Sequence, residues 1–134
     1  MPDLEATQPD RWGFTLPQYR QTHLIAARLL VGAVMAQLAL GVIALPVHSW
    51  TGPVVGLLSL IVAVTGVLGR FTSSTVGLSV ASVVLVGLQG VFIALSDAVP
   101  AFGILHLIDG FIIFGIAIVV AIESEDEGRE QDLR

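Results

Sequence analysis

Four stretches of the chain are apolar for nearly their whole length and are bounded by proline or polar residues: about 23–45, 47–69, 75–95 and 100–122. Each is close to the ~20 residues that carry an α-helix across the hydrocarbon core of a bilayer. Pro46 ends the first run, Arg70 closes the second, residues 71–74 make a short turn, residues 96–99 a loop, and Pro100 suits the first helical position of the fourth. Connections this short leave sequential helices as antiparallel neighbours. The pattern therefore predicts an all-α, integral-membrane, up-down-up-down four-helix bundle with spans two and four across a diagonal. Pro53, near the head of span two, predicts a kink or an unpaired carbonyl there. Hydropathy does not drive helices together in lipid, so close packing is expected from small residues: the Gly52/Gly56 pair, Gly66 and Gly69, and Gly77, Ser79 and Ser82.

The polar positions inside these runs carry the chemistry. Span four begins GILHLIDGFIIFGIAIVVAI, placing His106 and Asp109 where polar groups are expensive unless they are buried against other helices or bind something. Span two begins in a similar way, His48 to Gly52 matching His106 to Gly110 as H-x-x-x-G, and each odd span holds one glutamine, Gln37 and Gln89. The shared order of landmarks reads as an internal repeat of two-span hairpins; the inverted repeats of alternating-access transporters would need an odd number of spans per half.

Composition fixes the solvent. Of 134 residues 54% are hydrophobic and 13% charged, too few charges to cover a water-soluble domain, so the lipid bilayer is the expected partner. The net charge of −5 leaves no basic stripe for nucleic acid. All basic residues are arginines, at 11, 20, 28, 70, 129 and 134, and the loops around His48 and Asp97 hold none. By the positive-inside rule both termini are cytoplasmic in a multi-pass protein of the cell membrane, N-in and C-in. The absence of lysine and the acidic tails fit either a high-salt setting or a GC-rich genome. With no cysteine, disulfides, thiolate metal sites, iron–sulfur clusters and covalent haem attachment are excluded. Residues 1–18 read as a cytoplasmic tail, with Trp12 and Phe14, joined by Tyr19, suited to the headgroup belt; residues 19–123 form the four-span domain; residues 124–134 read as a solvated, disordered acidic tail. A secretory signal is not expected.

At about 1.5 Å of rise per residue, Gln37 lies about 12 Å below the outer end of span one and Gln89 slightly shallower. His48 and His106 fall at the same outer level, one on each diagonal helix. Two histidines so placed can bind haem iron axially, with a glutamine or loop carbonyl holding the other ring nitrogen, and Gly52 and Gly110 clear space one turn below. Asp109, three residues from His106, orients the imidazole, takes a proton or faces outer water. Plainer readings stand beside these. His48 equally suits headgroup contact, the glutamines suit helix-to-helix hydrogen bonding, His23 reads as interfacial, and Arg28 and Arg70 as topology anchors.

At Gln37, Gly41, His48 to Gly52, Arg70, Gln89 and His106 to Gly110 with Ile113 to Gly115, the chain resembles a family of small four-span prokaryotic membrane proteins of unknown function. More distantly it is similar to one four-helix half of haem A synthase, a likeness under which His48 and His106 correspond to haem ligands. It departs from that pattern in lacking a second half, cysteines and an outer-loop glutamate, so haem A synthesis itself is not implied.

Three functions follow as expectations. The first is a membrane protein holding haem b for electron transfer or haem handling, with His48 and His106 on the iron and a membrane redox partner or a second copy as its partner. A cofactor-free membrane subunit or scaffold is the alternative. The third, a small proton-coupled exporter, would need an acid in span one, where Gln37 stands. No nucleophile with a partnered base points to an enzyme.

Overall fold

In the computed structural model, residues 8–9, 13–43 and 45–132 are described. The interfacial role expected of Trp12, and most of the N-terminal tail, lie outside them. The described residues form four helices: α1 (Leu16–Ile43), α2 (Leu45–Leu68), α3 (Ser73–Ser96) and α4 (Ala101–Asp132). All four are long and apolar enough to cross a membrane. Each helix packs on its two sequence neighbours, α4 closing the ring on α1, while α1 and α3, like α2 and α4, face each other across the centre. The start of α1 and the end of α4 thus lie at one end of the bundle, here the terminal end; the α1–α2 and α3–α4 connections mark the distal end.

Two helices outrun the apolar stretches that announced them. α1 starts at Leu16, where Gln18 supplies the return half of a capping box: its Oε1 accepts from the Thr15 backbone N–H (2.7 Å) and hydroxyl (3.1 Å), with Pro17 in the first turn. α4 runs on through the acidic segment, 32 residues in all, correcting the expectation of a disordered tail there. What orders it is contact with the rest of the bundle. Ser124 Oγ meets His23 Nε2 at 2.9 Å, and Glu125 accepts from Arg28 at 2.9 Å. Glu127 takes the Thr72 N–H (2.9 Å) and the hydroxyls of Thr72 (2.8 Å) and Thr75 (2.6 Å). α2 continues unbroken through Pro53.

The turn from α2 to α3 is a Schellman stop. Phe71 N–H reaches back to Gly66 O (3.1 Å), Arg70 N–H reaches Val67 O (3.2 Å), and Arg70 itself takes the left-handed conformation, φ 55°, usually left to glycine. A side chain is excluded one residue earlier: a Cβ on Gly69 would stand 2.8 Å from Thr65 O. Thr72 then caps α3, its hydroxyl accepting from Thr75 N–H.

Burial is inverted relative to a water-soluble bundle. Val42 and Trp50 are 83% and 84% exposed, whereas His23, Ser59, Thr75, Ser79 and Ser124 are fully buried. Two serines satisfy themselves: Ser59 and Ser79 each donate to the carbonyl four residues back, at 2.9 and 2.7 Å, whereas the Ser124 hydroxyl has both Val120 O (2.6 Å) and His23 Nε2 (2.9 Å) within reach. Each serves as a small spacer that lets helices approach, alongside Ala26, Ala27, Ala117 and Gly56. This packing fills only part of the bundle. Toward the distal end α1 has no buried residue after Val34 and α3 none after Ser82, and there the interior opens.

Candidate functional site

The opening is a cavity of about 560 Å³, in the range of small-molecule and cofactor sites. All four helices wall it. Apolar side chains such as Val34, Leu38, Val55, Val86, Ile93, Leu107 and Ile113 form most of the surface, and Gln37, His48, Gln89 and His106, with Ser49, supply the polar groups. The structure therefore brings together the four polar residues that the sequence set at one depth.

Each histidine is held by the glutamine of the preceding helix, in the same way twice. Gln37 Nε2 donates to His48 O (2.8 Å) while His48 Nδ1 donates to Gln37 O (2.9 Å). Gln89 Nε2 donates to His106 O (2.8 Å) while His106 Nδ1 lies 3.4 Å from Gln89 O. A backbone carbonyl only accepts, so in the neutral ring the 2.9 Å bond puts the His48 proton on Nδ1 and leaves Nε2 its lone pair; the longer His106 contact favours the same tautomer. Neither Nε2 has a protein partner among the described residues, and no buried side-chain nitrogen or oxygen there is left unpaired, so both Nε2 atoms border open space.

The residue three positions after each histidine finishes the grip. Thr51 donates its hydroxyl to Gln37 Oε1, and Asp109 Oδ2 accepts from Gln89 Nε2 at 2.9 Å. Asp109 is 5% exposed and stands behind Gln89, off the cavity wall. It acts on the site through the glutamine, and not by facing outer water. The glycines of H-x-x-x-G stand beside the same two amides. A Cβ at Gly52 would make only an ordinary 3.6 Å contact with Gln37 Nε2, whereas one at Gly110 would be crowded by Leu38 Cδ2 at 3.2 Å, with Gln89 Nε2 at 3.6 Å. Both also line the cavity. Gly41 lets the His48 ring lie against α1, where a Cβ would meet it at 3.3 Å.

Across the diagonal the His48 and His106 rings stand 5.8 Å apart, centroid to centroid, with planes 84° to one another. Two imidazoles sharing one metal through Nε2 have centroids about 6 Å apart, given metal–nitrogen bonds of about 2.0–2.1 Å. The spacing suits one metal centre. No group of three or more His, Cys, Asp or Glu placed to hold a metal ion occurs among the described residues, so the cavity offers two imidazoles and no carboxyl to a metal.

His23 proved to be a different kind of residue from the interfacial one expected. It is completely buried at the terminal end, where Nδ1 donates to Val62 O at 3.0 Å, Nε2 meets Ser124 Oγ at 2.9 Å, and the ring packs on Phe71 with centroids 4.1 Å apart. Three helices converge on it. The hint in the sequence was Gly66, whose missing side chain leaves room for the ring: a Cβ there would lie 3.2 Å from His23 Cε1. No family model, curated protein or solved structure matches the chain.

Proposed function

We propose that the chain is a multi-pass membrane protein whose distal cavity holds one haem b, with His48 and His106 as its axial ligands. The observation that carries this reading is the pair of unpartnered Nε2 atoms on one apolar-walled cavity, their rings 5.8 Å apart. Haem supplies one-electron chemistry when bound. The chain's own part is to fix both imidazoles in the Nε2-free tautomer through Gln37 and Gln89, and to keep water out with Val, Leu and Ile side chains. Electron transfer or haem handling follows, and not catalysis on a substrate.

Exposed apolar flanks on all four helices support insertion in a bilayer. Arg20, Arg28, Arg70 and Arg129 all belong to the terminal end, which supports cytoplasmic termini and an outward-facing cavity in the cell membrane. The two Gln–His grips, built on the same pair of amide and imidazole contacts to backbone carbonyls, support an internal duplication of a two-helix hairpin.

One observation favours a second reading, a cofactor-free subunit or scaffold. Each grip closes between protein groups alone, as interhelical hydrogen bonding by itself requires. Absorption of the detergent-purified protein, oxidised and then reduced, separates the two. A Soret band that shifts on reduction while sharp α and β bands appear supports haem; colourless protein from haem-sufficient cells supports the scaffold.

A further inference from the structure

We infer that the two histidines are unequal ligands, His48 fixed and His106 yielding, so that the α4 side of the cavity is where a small neutral ligand, of the class of carbon monoxide, reaches the metal. The inference rests on the haem reading above and adds to it a second binding position.

The two grips match in design and differ in strength. On the His48 side the Nδ1 bond is 2.9 Å, within the usual range, and Gln37 uses both ends of its amide: the nitrogen on His48 O at 2.8 Å, the oxygen on the Thr51 hydroxyl. The ring is also backed by the α1 helix at Gly41. To rotate, His48 must break its own bond and push against backbone.

On the His106 side the Nδ1 contact is 3.4 Å, beyond the usual range. Gln89 spends its nitrogen on two acceptors, His106 O at 2.8 Å and Asp109 Oδ2 at 2.9 Å, and its Oε1 has no partner among the described residues. No glycine backs the ring, since the residue one turn along from the glutamine is Ile93, on the cavity wall. His106 can therefore swing while Asp109 keeps Gln89 in place. The exchange of threonine for aspartate after the second histidine produces the difference: a hydroxyl pins the amide oxygen, whereas a carboxyl pins the amide nitrogen and leaves the oxygen unpaired.

The test uses full-length protein reconstituted with hemin in detergent. With carbon monoxide added after reduction, the wild type should show a carbonyl-type Soret shift. His106→Ala should keep its haem and take carbon monoxide without the lag of ligand displacement, and His48→Ala should lose haem affinity by about tenfold or more. A reduced wild-type protein that holds haem and ignores carbon monoxide overturns the inference whether or not the variants fold. So does an equal or greater loss of haem in His106→Ala. Absence of any Soret band in the wild type withdraws the haem reading first, and this inference with it.

Discussion

Gln37 and His48 hold each other twice, side-chain amide to backbone carbonyl at 2.8 Å and imidazole to backbone carbonyl at 2.9 Å, across the gap between α1 and α2. One residue pair thus ties two helices and sets the state of a ring nitrogen. Gln89 and His106 repeat the relationship between α3 and α4. Because the bonds to the ring end on backbone oxygen, the tautomer does not depend on any second side chain.

Gln89 and Asp109 should be energetically coupled. In a double-mutant cycle by reversible unfolding in detergent, Gln89→Leu and Asp109→Leu together should cost about 1 kcal/mol less than the sum of the singles, because either single change strands the other buried polar group. Additive costs would mean that the 2.9 Å contact contributes nothing.

Gly41→Ala should harm the site more than Gly52→Ala. The first puts a methyl 3.3 Å from the His48 ring, and the second puts one 3.6 Å from Gln37 Nε2, an ordinary contact. Hemin titration of the two variants reads the difference. Equal affinity in both would show that the ring does not depend on α1 for its position.

His23→Ala should be the most destabilising histidine substitution, by about 2–4 kcal/mol, from a void at the terminal end and the loss of partners for Ser124 and Val62 O. His48→Ala should cost much less in cofactor-free protein. Denaturation midpoints in detergent give the ranking, and a His23 variant as stable as wild type would contradict it.

Glu127→Ala should loosen the start of α3 by about 1 kcal/mol, the usual value of a helix cap, since Thr72 N–H and hydroxyl lose their acceptor and, of its two carboxylates, the Thr75 hydroxyl keeps only that of Glu123. Faster amide exchange at Thr72 with no change at Gln89 is the expected signature. Unchanged exchange at Thr72 would mean that the Thr72 hydroxyl alone caps the helix.

The number, order and polarity of the helices were legible because bilayer-length apolar runs separated by proline and short polar turns leave few alternatives. Helix ends were not. Hydropathy marks where a chain is apolar and not where its hydrogen bonds stop, so the Thr15–Gln18 capping box and the acidic last turns of α4 lay beyond its reach. The common depth of Gln37, Gln89, His48 and His106 follows from rise per residue. Their pairing does not, because Gln37 and His48 meet only once α1 and α2 have turned particular faces to each other. His23 was misread for a related reason: position along a helix gives depth, and burial depends on direction. Asp109 stood out in the sequence as an expensive group, but its pairing with Gln89, off the cavity wall, needed three-dimensional contacts.

Titration of the cofactor-free protein with hemin, followed at the Soret maximum, tests the central claim most directly. One hemin per chain should bind with a six-coordinate, low-spin spectrum, and both His48→Ala and His106→Ala should abolish that spectrum. A titration with no break, or a bound form unchanged by either substitution, would contradict it.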